Sequence, residues 1–118
     1  MGGRSMQEPS FLILSVLAAG PQHGYAIMTE VSDISEGRVA LRAGTLYAAL
    51  DRLRGEGLVE VDREEVVDTR LRRYYRISAA GAERLAAEAD RMRRNADNAV
   101  QRLTTGGFGG RRLAGGTS

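Results

Sequence analysis

The 118-residue chain has no cysteine and a net charge of +2 at pH 7, which excludes a disulfide framework and any thiolate metal site. A chain this short holds one small domain plus an extension, and it buries only about two-thirds of its unfolded surface. Pairing with a second copy would add core. All 17 basic residues are arginine, a bias that a GC-rich coding sequence explains without any role in contacts. The distribution of charge says more than its sum. Arg38, Arg42, Arg52 and Arg54 face Asp51 alone within residues 38–54, residues 70–76 hold Arg70, Arg72, Arg73 and Arg76 with no acid, and the acids concentrate in 56–68.

Residues 1–8 read as an unstructured arm. Pro9 or Ser10 can open a first helix, and residues 11–19 are apolar on nearly every side, as a buried helix requires. That run is interrupted by Ser15 and too short to span a bilayer. No cleavage pattern follows it, and Met6 breaks a myristoylation motif, so a cytoplasmic chain with no membrane partner is expected. Gly20 and Pro21 end the helix. A second helix is predicted over Gly24–Ile34, with Ile27, Val31 and Ile34 facing inward, followed by a turn at Ser35, Glu36 and Gly37.

Residues 44–61, GTLYAALDRLRGEGLVEV, are the most informative stretch. Leu46, Leu50 and Leu53 recur at helical spacing and face a core. Thr45, Ala48 and Arg52 lie opposite, the small face with one guanidinium that a helix needs to reach the floor of a groove. Gly55 and Gly57 supply the left-handed stop that turns the chain into a strand. Helix, glycine turn and strand in this order point to the reading helix and wing of a DNA-binding domain.

Residues 58–63 and 72–77 alternate as half-buried strands. Setting Val59 opposite Ile77 and Val61 opposite Tyr75 keeps one face apolar, whereas a slip of one residue would not. Continued one for one, that pairing sets Glu60 against Arg76, Glu64 against Arg72, and Arg63 against Arg73. On this register Arg70 and Arg73 are free for phosphate, while Arg72 and Arg76 are neutralised.

Ser78 is the expected N-cap of a long helix over 79–103. Ala82, Leu85, Ala89, Met92, Ala96, Ala99 and Leu103 recur at alternating spacings of three and four, a coiled-coil seam. The same pattern fits a helix packed on its own domain, but the length and the polar remainder of the helix favour association between chains. So alanine-rich a seam contributes little burial, so Phe11 and Leu12 of the first helix are expected to join Leu85, Ala89, Met92, Ala96, Ala99 and Leu103 in a dimer interface. The 104–118 tail is low in complexity and cannot order itself. It reads as a disordered terminus or as an arginine–glycine nucleic-acid tail.

No reaction chemistry is marked out. His23, the sole histidine, fits a hydrogen bond at a helix terminus, and without cysteine it cannot build a zinc site. Gly55 and Gly57 follow a helix rather than a strand, unlike a dinucleotide loop. Glu64 and Glu65 read as a solvated pair. The expectation is neither an enzyme nor a cofactor or metal binder.

FLILSVLAAGPQHGYAIMTEV, AGTLYAALDRLRGEGLVEV and RRYYRISAAGAERLAAE, taken in order, resemble the PadR-type transcriptional regulators across about residues 10–103. The resemblance implies a winged-helix homodimer, of the shorter branch with one C-terminal helix. It sets Gly44, Thr45, Leu46 and Tyr47 at the recognition-helix opening, with Thr45 and Tyr47 on phosphate or a base edge and Leu46 in the core. It sets Tyr25 at the start of the supporting helix, where it would donate to phosphate or, equally well, lie in the core. It makes Arg70 and Arg72 the basic wing. The chain departs from the family at Leu71, where proline is usual, at Asp68 and Thr69 in place of glycines, at Arg42 and Ala43 before GTLY, and at Ala48 after it.

The expected fold is therefore mainly α with a small β hairpin (α+β): a winged helix-turn-helix over 9–78, then a dimerisation helix over 79–103. The expected function is a homodimeric repressor that binds double-stranded DNA at a pseudo-palindromic operator and is relieved by a small-molecule effector. Its DNA contacts would come from Tyr25, Arg42, Gly44, Thr45, Tyr47, Ala48, Arg52, Arg70, Arg72 and Arg73. The alternative is a winged-helix module that dimerises and binds protein without reading DNA.

Overall fold

The computed structural model describes residues 6–109. The elements run α1 (Glu8–Ala18), β1 (Gln22–His23), α2 (Gly24–Ile34), α3 (Ala43–Gly55), β2 (Val59–Val67), β3 (Arg70–Ile77) and α4 (Ala79–Thr105). This is the α+β winged-helix arrangement read from the sequence. The chain divides into two compact units, the first ending at Ala86 and the second beginning at Ala87. No helix among the described residues is long and apolar enough to cross a membrane.

The core of the first unit is built on α1, whose Ile13, Leu14 and Leu17 are fully buried with Ile27 and Val31 of α2 and Leu46, Leu50 and Leu53 of α3. Leu12 belongs to the same core at 9 % exposure, and Phe11 packs against it partly buried. Assigning Leu12 to an interface between copies is thus corrected. A helix apolar on nearly every side is surrounded by its own domain, which leaves little of it for a partner. Ile34 is also corrected: it ends α2 about half exposed, and the Ser35 side chain turns inward instead.

The start of α1 at Glu8 and the partial burial of Met6 leave less free chain than the arm read over 1–8, whose residues 1–5 lie outside the described residues. At the far end α4 continues through Thr105, and the rest of the expected tail beyond residue 109 lies outside the description.

α3 closes as a Schellman turn. Leu58 N–H reaches the Leu53 carbonyl at 2.9 Å and Gly57 N–H reaches Arg54 at 2.9 Å, with Gly57 at φ 78°. Gly57 alone supplies the left-handed residue, since Gly55 is still helical. The turn delivers buried Leu58 and Val59 into the sheet.

The sheet has three antiparallel strands in the order β1-β3-β2. β1 pairs Gln22 with Tyr75 and His23 with Tyr74. At two residues, this strand is too short to show any alternation in the sequence. β2 and β3 keep the expected pairs Val59–Ile77, Glu60–Arg76 and Val61–Tyr75, but a bulge at Asp62 shifts the rest by one. Arg63 then faces Tyr74, Glu64 faces Arg73 and Glu65 faces Arg72. The like-charge pair of Arg63 with Arg73 never forms. The guanidinium of Arg63 instead lies 3.9 Å from the Tyr74 ring centroid.

Ser78 caps α4 as its sequence position indicates, accepting from Gly81 N–H at 2.9 Å and donating to the Gly57 carbonyl at 2.6 Å. Within the second unit, α4 carries Met92, Val100 and Leu103 between 42 % and 46 % exposed, along the edge where Ala96 and Ala99 are also exposed.

Candidate nucleic-acid interface

Short polar and aromatic side chains at the start of α3 set one wall of the site. Burial of Leu46, Ala49, Leu50 and Leu53 fixes the helix rotation, which leaves Gly44, Thr45, Tyr47 and Ala48 facing out. Arg42 stands at the N-cap, exposed, with no carboxylate in ion-pair range among the described residues. Arg52, expected on the same reading face, is turned back: its Nη2 donates to the hydroxyl of buried Ser10 at 2.7 Å. The long side chain reaches α1, so this guanidinium ties α3 to α1.

The N-terminus of α2 forms the second wall. His23 is its N-cap, with Nδ1 accepting from Ala26 N–H at 3.5 Å. The His23 ring meets Tyr74 edge to face at 5.4 Å. Burial, and then the nearby Arg72 charge, hold its pKa below 6.5. Tyr25 is 72 % exposed, which decides between its two readings in favour of the surface. Tyr47 crosses from α3 to lie over Gly24, so closely that a Cβ there would stand 2.1 Å from its Oη. Glycine at position 24 is what admits the ring.

The wing closes the third side. Asp68 and Thr69 form a two-residue turn with φ of 52° and 64°, the geometry of a type I′ hairpin. The bulge redistributes the wing's charges. Arg73 is held by Glu64 at 2.9 Å, and Arg76 by Glu60 at 2.8 Å and Asp62 at 3.3 Å. Their partners keep both guanidinium pKa values above the usual arginine value, Glu64 for Arg73 and Glu60 for Arg76. Arg63 is tied to Glu65 and Asp62. Among the described residues, no carboxylate lies within ion-pair distance of Arg70 or Arg72. Arg73 is thereby corrected from free to neutralised, while Arg72, expected to pair with Glu64, stands across from Glu65 without an ion pair. The hydrogen bond from Arg63 first, with the Arg72 charge among the lesser causes, holds the Glu65 carboxyl below the usual carboxylate range.

A cleft of about 430 Å³ lies between these walls, with Tyr25, Tyr47, Arg70 and Arg72 among its lining residues. His23, Asp68, Leu71 and Arg73 line it as well. Arg42, Thr45, Ala48 and Arg52 do not. Two tyrosines and two arginines that form no ion pair among the described residues meet there beside the carboxylate of Asp68, a donor set suited to phosphate oxygens. His23 and Leu71 had no site role in the sequence reading. The sequence marked His23 only as a hydrogen-bonding residue at a helix terminus, and its place beside the cleft comes with the pairing of β1 to β3. Among the described residues, no group of three or more His, Asp or Glu side chains could hold a metal ion.

The model of the transcriptional regulator PadR-like family matches residues 13–87. The 37.1 kDa protein in transposon TN4556 of Streptomyces fradiae is 38% identical over 87 residues, 74% of this chain and 24% of that protein. The fold is similar to a PadR family transcription regulator from Clostridium difficile R20291, with a TM-score of 0.69 at 23% identity, covering 82% of this chain and 99% of the other. It is also similar to Bacillus subtilis PadR in complex with operator DNA, with a TM-score of 0.62 at 22% identity over 70% of this chain and 46% of that one. The chain spans less than two-thirds of the curated relatives it matches, 24% of one and 64% of another.

Proposed function

The chain belongs to the PadR-like family of transcriptional regulators, and on that premise we propose that it is a homodimeric repressor that binds operator DNA through α3 and the β2–β3 wing. The observation that carries this reading is the cleft in which Tyr25, Tyr47, Arg70 and Arg72 converge, with neither guanidinium in an ion pair among the described residues although Asp68 also lines it. Thr45, Ala48 and Gly44 form the face of α3 that enters the major groove, with Arg42 at its N-terminus. The cleft grips the adjoining phosphates, which fix position but carry no sequence information.

So small a reading face discriminates weakly by itself. Two copies joined along the exposed apolar edge of α4, through Met92, Ala96, Ala99, Val100 and Leu103, would read two half-sites about 34 Å apart. The same reading includes a small aromatic or drug-like effector that releases the complex, tested by displacement of the bound fragment on titration. Binding to the DNA upstream of the chain's own gene, measured at two salt concentrations, tests the whole. A sequence-specific complex at moderate salt is expected. Equal affinity for that fragment and for unrelated DNA would sink the repressor reading.

A further inference from the structure

We propose that Arg42, at the N-cap of α3, is the residue by which this chain reads sequence, its guanidinium taking the paired acceptors of one guanine in each half-site. This rests on the DNA-binding reading above and names the side chain that makes it specific. For folding alone, arginine is a poor choice at this position. Arg42 has the extended backbone of an N-cap, φ −87° and ψ 159°, yet a guanidinium offers no acceptor to the free N–H groups of the first turn, and no side-chain cap is made. Its charge also stands at the positive end of the helix dipole, with no acid in the first turn to offset it. Arg52 and Arg54 of the same helix lie in the last turn, where a cation is favoured. A coding bias accounts for arginine in place of lysine, but not for a cation at an N-cap.

Most other arginines of the first unit are engaged. Arg38 is tied to Glu8, Arg52 to Ser10, Arg54 to Asp51, and Arg63, Arg73 and Arg76 to acids of the wing. Arg42 is exposed, forms no ion pair among the described residues and lies outside the cleft that Arg70 and Arg72 line. Its contact is therefore separate from the phosphate grip. Beside it the exposed face of α3 is small: Tyr47 is drawn over Gly24, leaving Gly44, Thr45 and Ala48, and a Cβ at Gly44 would meet nothing within 4 Å. So bare a face lets the helix N-terminus sink into the major groove, where a long side chain meets base edges. Of the four bases, guanine sets two acceptors side by side, O6 and N7, which match the two arms of a guanidinium; adenine sets a donor beside its N7.

The test selects binding sites for the unaltered chain and for Arg42→Ser from a pool of randomised duplexes, then measures affinity by fluorescence anisotropy over a salt series. The unaltered chain should select a guanine in each half-site, and changing one such dG to dA should weaken it roughly ten- to a hundred-fold. Arg42→Ser should bind those two duplexes alike while keeping its other preferences. Its thermal midpoint should rise by roughly 4 °C, because serine caps α3 and removes the cation from its N-terminus. Arg42→Lys should discriminate guanine less sharply, since an ammonium lacks the fork. Equal weakening of Arg42→Ser on every duplex, with a salt slope lower by about one, would make Arg42 a phosphate contact and overturn the inference. An unchanged guanine preference would overturn it too, and so would a lowered midpoint, which would make the arginine a residue of the fold. In all three cases the DNA-binding reading stands. An unaltered chain that selects no sequence overturns both.

Discussion

A methyl group at Gly24 and one at Gly81 would meet different kinds of neighbour. At Gly24 it would strike Tyr47, 2.1 Å from Oη and 2.7 Å from Cζ. That ring is the far end of a flexible side chain and nearly half exposed, so it can swing away. Gly24→Ala should therefore leave stability in urea within about 1 kcal/mol, since alanine also favours the helix. DNA affinity should fall, because Tyr47 leaves the cleft; unchanged affinity would show that the ring's place is immaterial. At Gly81 the methyl would stand 2.1 Å from the Leu58 carbonyl oxygen, part of a backbone fixed by the Schellman turn and by Ser78. Gly81→Ala should cost about 1–3 kcal/mol or more in the same denaturation experiment. His23 gives a pH prediction. Its folded pKa lies below 6.5, so the unfolded chain protonates first as pH falls. Its contribution to stability is complete above pH 6.5 and declines below that value until the folded ring also protonates. An NMR titration midpoint for His23 at or above 6.5 would contradict this.

At the scale of elements, the wing combines a predictable base with an unpredictable tip. Alternation of Val59, Val61, Tyr75 and Ile77 set the first three pairs, because slipping them would expose the apolar face. The bulge at Asp62 left no mark in that alternation. Where it falls, Arg63 gains the Tyr74 ring and the carboxylates of Asp62 and Glu65, while Arg73 gains Glu64. Both arginines leave the like-charge pairing that a straight ladder would impose. The turn is strained in one place. Asp68 tolerates its left-handed backbone, but Thr69 is β-branched and held at φ 64°. Thr69→Gly should raise stability by about 1 kcal/mol, the left-handed strain outweighing the added freedom of the unfolded chain. A loss in denaturant midpoint would mean that the threonine side chain contributes something that glycine cannot replace. The reading helix shows the same division. Its inner face was legible from leucine spacing, whereas the direction of Arg52 was not, because a long side chain on the outer face can reach back to Ser10.

At the scale of the molecule, the proposed function needs two copies. α4 is about 40 Å long at 1.5 Å per residue, and its described second-unit portion keeps Met92, Val100 and Leu103 open to solvent. Met92→Arg/Leu103→Arg should convert a dimer to monomers in sedimentation velocity. It should also weaken operator binding by roughly two orders of magnitude, since the second half-site no longer gains from effective concentration. A variant that still sediments as a dimer would place the interface elsewhere. Leu12 cannot carry that interface, because it lies in the core. Phe11 and Leu85 pack against the core with part of their surface left open.

The sequence by itself determined the helices, the glycine stop before the wing, the Ser78 cap and the family. Each rests on local periodicity or on turn chemistry, and neighbours in the chain are enough to impose those. Only the tertiary structure decided which arginines remain available. Pairing partners depend on the bulge at Asp62, which is settled by packing between strands and not by the alternation of either one. The same holds for Tyr25 and Tyr47: Gly24 makes room for one ring beside the other, and the wing brings Arg70 and Arg72 opposite them across the cleft.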